Sequence, residues 1–423
     1  MSISIDIIPS KSYAHRQLVA AALSETPCSV VCDFASEDIE ATRKCLAALE
    51  PSLSGRSGNK GLTASAPETD SICTLPCGES GSTLRFLLPL AGALGTKARF
   101  LTQGRLAERP MDPLRDELTV HGCSLSEPGV SPITIEGQLT PGTYMLPGNV
   151  SSQFITGLLL ALPLLKKKST LVVTGKLQSS PYIDITLDVL KQFGIQIEQE
   201  VRESGRTYEI PGNQHYQGPE RVITEGDWSG AAFWLAAGAI GSEAVTVRGL
   251  NPHSMQGDRR IADVLKDFGA SVLWSEGEIT AEPSHLHGIT VDISEIPDLA
   301  PAVALTAAVA EGTTRIVNGL RLRMKESDRI RSICASLKAL GADITEEPEG
   351  MTIQGTGGRP LEGGACDSFG DHRIAMMEAI ASLVCRNPVN VSGSEAVRKS
   401  YPGFFQVMEE KGMAENLRAE EMR

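Results

Sequence analysis

The sequence has no hydrophobic run long enough to cross a membrane. Its longest apolar run, from Phe154 to Leu165, covers about 12 residues and contains Pro163, whereas a membrane-spanning helix needs about 20 residues. The opening residues, MSISIDIIPSKS, show no basic segment followed by an apolar one, as a secretory signal would. We therefore expect a cytoplasmic protein without a membrane partner.

The sequence also has fewer basic than acidic residues. The 423 residues include 39 Lys and Arg against 52 Asp and Glu, which gives a net charge of −13. That sign is wrong for a protein that coats nucleic acid or anionic lipid. We expect no nucleic-acid partner, and any anion should bind at a local site.

Two common kinds of motif are missing as well. The nine cysteines include the pairs Cys28/Cys32 and Cys73/Cys77, but no His pair lies nearby to complete a zinc site. We expect free thiols in a reducing compartment and no bound metal. The phosphate-binding motif G-x-x-x-x-G-K-[ST] does not occur either.

What the chain does contain is a long-range repeat. Helix-like segments end at a glycine and are usually followed by an alternating, strand-like run, and these glycines are spaced 72, 75, 72 and 71 residues apart. A glycine there closes a helix in the left-handed conformation. A degenerate first copy fits near Glu50. The five glycines are Gly122, Gly194, Gly269, Gly341 and Gly412.

The repeat predicts an α/β protein built from six modules of about 72 residues, three per domain. The seam should lie near Gly226 to Gly230, with a ligand cleft between the domains. The alternative is that a helix, a glycine and a strand simply form a common α/β junction.

Short polar motifs precede the apolar helices or lie in turns between them. A helix N-terminus offers free N–H groups and a positive dipole end to an anion, although an ordinary capped helix is the alternative at each place. The motifs are PSKSYAHR, CGESGSTLR, GRLAERPM, GNVSSQF, QSSPYIDIT, SEIPDLAP, RLRMKESDR, FGDHRIAM and VRKSYPGFF.

Six basic residues in these motifs indicate a ligand with more than one phosphate or carboxylate, because such groups are bound by several cations. They are Lys11, Arg85, Arg109, Arg329, Arg373 and Lys399. Lys325 and Arg329 are four apart, so on one helix face they would repel each other unless a negative group lay between them. Asp298, at the entrance to an apolar helix, is either an N-cap or a carboxylate in a cleft of low dielectric constant.

In their order along the chain, these motifs closely resemble those of the 5-enolpyruvylshikimate-3-phosphate synthase family, and the resemblance spans essentially the whole chain. It implies a two-domain inverted α/β barrel of βαβαββ modules, with domains at 12–226 and at 1–11 plus 227–423 and the active site in the interdomain cleft. It also implies a transferase without metal or organic cofactor, and two self-sufficient domains predict a monomer. The substrates would be phosphoenolpyruvate and shikimate 3-phosphate, with the enolpyruvyl group passing to the 5-hydroxyl as phosphate leaves.

The resemblance also assigns the site residues by position. The phosphoenolpyruvate set is Lys11, Gly81, Arg85, Arg109, Gln153, Arg329, Arg373 and Lys399. The shikimate 3-phosphate set is Lys11, Ser12, Arg16, Ser151, Ser152, Gln153, Ser179, Asp298 and Lys325. Asp298 resembles the family's base for the 5-hydroxyl, and Glu326 with Lys11 resembles the pair that handles the proton of the methylene carbon.

Two residues depart from the family pattern. Most relatives carry Asn where this chain has Glu79 and again where it has Arg321, so we expect the local charge, and with it substrate affinity, to differ. Gly81 stands where the family's sensitivity to glyphosate depends on having no side chain. We therefore expect glyphosate to inhibit the protein.

Three alternatives remain open. UDP-N-acetylglucosamine enolpyruvyl transferase shares the fold and the donor, but it uses a loop cysteine that GRLAERP lacks. RNA 3′-phosphate cyclase would need a basic surface and a nucleotide-binding His, against which the net charge of −13 argues. A non-catalytic anion-binding protein on the same fold is the third.

Overall fold

The computed structural model describes residues 3–33, 36–54 and 72–422. It is a mixed α/β protein in which the chain divides into two compact units. We call Lys11–Thr224 the continuous unit, and Met1–Ser10 with Glu225–Arg423 the discontinuous unit. None of the helices described is long and apolar enough to span a membrane.

The secondary structure alternates between short strands and helices along both units. The helices are α1 Lys11–Leu23, α2 Glu37–Ser54, α3 Gly81–Leu94, α4 Leu114–Val120, α5 Ser152–Ala161, α6 Ser180–Gln192, α7 Trp228–Ile240, α8 Ile261–Asp267, α9 Ala300–Val309, α10 Arg329–Ala339, α11 His372–Ala381 and α12 Phe404–Glu410. The strands are β1 Ile3–Asp6, β2 Ser29–Val31, β3 Cys73–Gly78, β4 Ala98–Thr102, β5 Cys123–Leu125, β6 Ile133–Gly137, β7 Thr143–Pro147, β8 Ser169–Thr174, β9 Glu198–Arg202, β10 Gly205–Ile210, β11 Arg221–Ile223, β12 Val245–Arg248, β13 Ser271–Ser275, β14 Glu278–Glu282, β15 Thr290–Asp292, β16 Thr313–Val317, β17 Asp343–Glu347, β18 Gly350–Gln354, β19 Gly364–Asp367, β20 Val389–Ser392 and β21 Leu417–Ala419.

Four sheets share one strand arrangement. Their orders are β3-β4-β6-β5 and β7-β8-β10-β9 in the continuous unit, and β1-β12-β14-β13 and β15-β16-β18-β17 in the discontinuous unit. In each sheet the first two strands are parallel and the remaining pairs are antiparallel. The parallel pair β11-β2 and the parallel sheet β19-β20-β21 are smaller.

The glycines of the repeat close helices as expected. Each of the five has a positive φ, from 69° at Gly412 to 100° at Gly122, and the preceding helix ends two residues earlier. The degenerate copy differs, because α2 continues past Glu50 to Ser54. The residues that follow it, 55–71, lie outside the described residues.

Each unit has a hydrophobic core of its own. In the discontinuous unit the core is built around α7, α9 and α11, whose residues are almost all buried, and in the continuous unit around α3 and α5. A helix that is apolar on every side is stable only inside a core, so the polar residues at the beginnings of these helices are held by rigid elements. All nine cysteines are free thiols, as predicted.

One buried carboxyl in the core of the discontinuous unit stands apart from the polar motifs. Glu378 on α11 is fully buried, and its Oε1 accepts a hydrogen bond from Ser336 Oγ at 2.6 Å. Burial raises the pKa of Glu378 to about 8. The folded protein therefore keeps this proton at pH values where the unfolded chain has released it.

We expect Glu378→Gln to stabilise the protein increasingly as pH rises. Between the ordinary pKa of a glutamate and about 8, the folded state binds the extra proton, so wild-type stability falls with rising pH. The amide of the variant does not titrate and so removes this pH dependence. We expect the free energy of unfolding of the variant, relative to wild type, to rise by on the order of 2 kcal/mol between pH 5 and pH 8. Urea unfolding at both pH values measures it, with the exposed Glu409→Gln as control. An equal effect of Glu378→Gln at both pH values would contradict the prediction.

Candidate functional site

Two guanidinium groups converge at the beginning of α3 in the continuous unit. A methyl group at Gly81 would lie 3.0 Å from Arg109 Nη1 and 3.2 Å from Arg85 Nη1. Arg109 has the extended backbone predicted from the following proline. Two cationic groups therefore lie directly beside the α-carbon of Gly81, at a helix N-terminus. This combination is favourable for binding an anion.

Hydrogen bonds join α3 to the beginning of α5. Arg85 Nη1 donates to Gln153 Oε1 at 2.6 Å, and Gln153 Nε2 donates to Ser82 Oγ at 2.9 Å. Ser151 caps α5 by accepting from the backbone N–H of Gln153, and Ser152 is buried in the first turn. Gln153 thus fixes the orientation of Arg85 while it lies beside the same helix N-terminus.

Lys11 begins α1 and forms an ion pair with a residue that the sequence analysis did not select. Its Nζ lies 2.8 Å from Oδ2 of Asp38, in the first turn of α2, and both side chains are less than one-fifth exposed. Acidic residues in a first turn also complement the helix dipole, so the sequence alone gave no reason to single out Asp38 from Glu37 and Glu40.

Arg16 is held inside the continuous unit rather than presented at its surface. It is only 3% exposed, and burial lowers its pKa to about 10. Four N–H groups donate to protein oxygens, and the guanidinium carbon lies 5.0 Å from the centre of the Phe86 ring. The acceptors are Thr186 Oγ1, Thr156 Oγ1 and the carbonyl oxygens of Ser12 and Tyr182. The described residues thus occupy four of its five donors.

Ser179 has a strained backbone. Its φ is 57° and its ψ is 39°, the left-handed region that non-glycine residues rarely adopt, and it precedes α6 without making a side-chain cap. The capping role considered for this serine is therefore wrong, because its side chain makes no hydrogen bond to the N–H groups of the helix. Strain of this kind is concentrated at ligand sites.

Asp298 lies at the centre of the polar cluster in the discontinuous unit. Its Oδ1 accepts from Arg329 Nη1 at 2.7 Å and from Lys325 Nζ at 3.3 Å, and its Oδ2 accepts from Arg373 Nη2 at 2.9 Å. The negative group expected between Lys325 and Arg329 is thus Asp298. Three cationic donors favour its ionised form.

Two details of the prediction for this cluster are wrong. Asp298 is not an N-cap, since it lies in the 3-10 turn Pro297–Leu299 and the cap of α9 is Leu299. Lys325 and Arg329 do not share a helix face either. Asp328 caps α10 so that the helix begins only at Arg329, and Lys325 lies before it in extended backbone.

Arg329 is the most deeply buried cation of this cluster, with 1% of its surface exposed. Besides Asp298, it donates through Nε to Asp371 Oδ2 and through Nη2 to Glu326 Oε2, each at 2.7 Å. Burial alone would lower the pKa of Arg329, but the carboxylates of Asp371, Glu326 and Asp298 outweigh it and raise that pKa well above its usual value.

Lys325 and Lys399 are the two lysines of the predicted site that lie in the discontinuous unit. Burial lowers the pKa of Lys325, the nearby charges of Arg329 and Arg321 lower it further, and Asp298 and Glu326 oppose them. Lys399 Nζ donates to the carbonyl oxygen of Gly370 at 2.9 Å, directly before Asp371. Lys399 is thereby tied to the loop that leads into α11.

The structure also gives Glu79 and Asp371 definite places. Glu79 is exposed in the turn before α3, and a methyl group at Gly104 would lie 2.7 Å from its carboxyl carbon.

Asp371 is completely buried and caps α11 by accepting from the backbone N–H of Arg373. Its position before an apolar helix was noticed in the sequence, but its pairing with Arg329 joins residues 42 positions apart, which no local pattern signals.

The comparisons with known proteins agree with one another. The family described as EPSP synthase (3-phosphoshikimate 1-carboxyvinyltransferase) matches residues 1–408. The 3-phosphoshikimate 1-carboxyvinyltransferase of Clostridium kluyveri is 42% identical over 410 residues, 95% of this chain and 93% of that protein. The enzyme of the same name from Methanococcus aeolicus is 34% identical over 97% of this chain and 96% of its own length. The structure of EPSP synthase from Acinetobacter baumannii matches with a TM-score of 0.77 at 26% identity, over 97% of this chain and 95% of that one.

We expect Asp371→Asn to destabilise the protein by about 2 kcal/mol or more, because it weakens the pairing of a fully buried guanidinium. Glu326→Gln serves as the matched control. That carboxylate contacts the same arginine but is one-quarter exposed, so its loss should cost less than about 1 kcal/mol. Chemical unfolding of the two variants measures the difference, and equal losses would contradict the special role of Asp371.

Proposed function

The chain belongs to the EPSP synthase family, and on that premise we propose how its polar residues divide the work of the reaction. The enzyme is a transferase: it moves the enolpyruvyl group of phosphoenolpyruvate to the 5-hydroxyl of shikimate 3-phosphate and releases phosphate, a step of the shikimate pathway towards chorismate and the aromatic amino acids. The observation that carries our assignment is the pair of guanidinium groups, Arg85 and Arg109, against the bare α-carbon of Gly81.

We assign the binding of phosphoenolpyruvate to the basic residues. This substrate carries a phosphate and a carboxylate, and charge-assisted hydrogen bonds to guanidinium groups suit both. The convergence of Arg85 and Arg109, with Gln153 bonded to Arg85, supports the assignment in the continuous unit. The remaining members of this set are Lys11, Arg329, Arg373 and Lys399.

We assign shikimate 3-phosphate to the hydroxyl, amide and basic groups at the beginnings of α1, α5 and α6, together with Asp298 and Lys325. Hydroxyls and amides match a polyhydroxylated ring, and free N–H groups at helix N-termini match its phosphate. Described residues occupy four of the five donors of Arg16, so its main contribution is to hold the Ser12 carbonyl and the start of α6. The other residues of this set are Lys11, Ser12, Ser151, Ser152, Gln153 and Ser179.

The proton transfers fall to three residues. The 5-hydroxyl oxygen attacks C2 of phosphoenolpyruvate as Asp298 takes the hydroxyl proton, and C3 receives a proton from Lys11 or Glu326. Elimination of phosphate then removes a proton from C3 and restores the double bond. Asp298 is held by three cations, which favours the ionised form that a base needs. The ion pair with Asp38 holds the Lys11 ammonium group at the beginning of α1.

We propose that each unit is made of three βαβαββ modules, as in a two-domain inverted α/β barrel, and that water is excluded during the reaction. The shared order of four sheets supports the six-module scheme. A monomer acting in the cytoplasm remains part of the same proposal.

The purified protein should release phosphate from phosphoenolpyruvate only when shikimate 3-phosphate is present. UDP-N-acetylglucosamine, tested separately in metal-free buffer, should give no release. Asp298→Asn should lower kcat by at least about a hundredfold, with thermal unfolding as the control for folding. Release with the sugar nucleotide, or full activity of Asp298→Asn, would contradict the assignment.

Gly81→Ala should raise KM for phosphoenolpyruvate, because the added methyl group would meet Arg109 Nη1 at 3.0 Å and Arg85 Nη1 at 3.2 Å. We expect an increase of about tenfold or more, the effect of displacing one charge-assisted contact. The KM for shikimate 3-phosphate should change little, and inhibition by millimolar glyphosate, expected for the wild type, should weaken. An unchanged KM for phosphoenolpyruvate would contradict an anion site at Gly81.

A further inference from the structure

A buried carboxyl group next to the Asp298 cluster has no role in the assignments above. Asp258 lies in the 3-10 turn Gly257–Arg260, just before α8, and is 3% exposed. Its Oδ2 is hydrogen-bonded to the hydroxyl of Ser229, at the beginning of α7. Its Oδ1 is buried and has no hydrogen-bond partner within the part of the chain that the structure describes.

The charged groups that act on Asp258 come from three neighbouring elements. Asp298 belongs to the 3-10 turn before α9, Arg373 to the first turn of α11, and Asp227 caps α7. Burial is the main cause that raises the pKa of Asp258, to about 7; Asp298 and Asp227 act in the same direction, while Arg373 and the Ser229 hydrogen bond oppose them.

The hydrogen bonding fits a neutral acid better than a carboxylate. An ionised carboxylate can accept about four hydrogen bonds and is expensive to bury with only one. The Ser229 hydroxyl donates to Oδ2, and protonation removes the negative charge that Oδ1 would otherwise share without a partner among the described residues. In that form Arg373 remains bound to Asp298, at 2.9 Å.

We propose that Asp258 is a positioning residue for this reaction, whose neutral form leaves Arg373 to Asp298 and to the anionic substrate. On losing its proton, Asp258 adds a second negative charge that competes with Asp298 for Arg373 and repels phosphoenolpyruvate. The inference rests on the proposed function, since it concerns the efficiency with which that substrate is used.

The test is the pH profile of kcat/KM for phosphoenolpyruvate. In the wild type we expect an inflection near pH 7, with a fall of at least about threefold towards higher pH, the size of a partly screened charge interaction. Asp258→Asn carries a permanently neutral amide, so this inflection should vanish. The exposed Asp263→Asn should behave like the wild type. Titration of the substrates affects all three proteins equally and cancels in the comparison.

An inflection near pH 7 that persists in Asp258→Asn would overturn the inference, while the proposed function would stand. Absence of any shikimate 3-phosphate-dependent phosphate release by the wild type would instead overturn the proposed function. If Asp258→Asn does not fold, Ser229→Ala provides the second test. Its hydroxyl lowers the pKa of Asp258, so its removal should move the wild-type inflection to higher pH. An unmoved inflection would overturn the inference.

Discussion

The polar cluster of the discontinuous unit depends on one buried cation, the guanidinium of Arg329. Three carboxylates accept the hydrogen bonds that the described residues receive from it: Asp371, Asp298 and Glu326. Removing the fully buried Asp371 leaves charge poorly compensated in a medium of low dielectric constant. The loops before α9, α10 and α11 are therefore fixed by one side chain, and Arg373 and Lys325 take their orientation from Asp298.

The continuous unit reaches a similar rigidity with mostly neutral groups. His15 Nδ1 lies 2.7 Å from Thr42 Oγ1, Thr42 Oγ1 lies 2.6 Å from Thr83 Oγ1, and Thr83 donates to the cap residue Ser80 at 2.7 Å. This chain links α1, α2 and α3. Burial, with the charges of Lys11 and Arg16, holds the pKa of His15 well below its usual value, so the histidine adds no charge to this chain of hydrogen bonds.

The sequence was informative where a local rule operates and silent where partners are distant. The glycine spacing predicted where five helices close, because left-handed backbone favours glycine. The like charges of Lys325 and Arg329 predicted a negative group between them, and Asp298 is that group. No local rule distinguishes Asp38 or Asp371 from ordinary first-turn and capping acids, since their importance comes from partners 27 and 42 residues away. The helix face assumed for Lys325 failed because the Asp328 cap starts α10 later.

The pairing of β1 with β12 has a consequence for synthesis of the chain. Ile3 lies opposite Val245 in this parallel pair, so β1 must wait until more than half of the chain has left the ribosome. The whole continuous unit, Lys11–Thr224, is made in the meantime and can fold first. During that interval β1 is an unpaired strand, and unpaired strands promote aggregation. Its length of four residues and the exposed charge of Asp6 limit that risk.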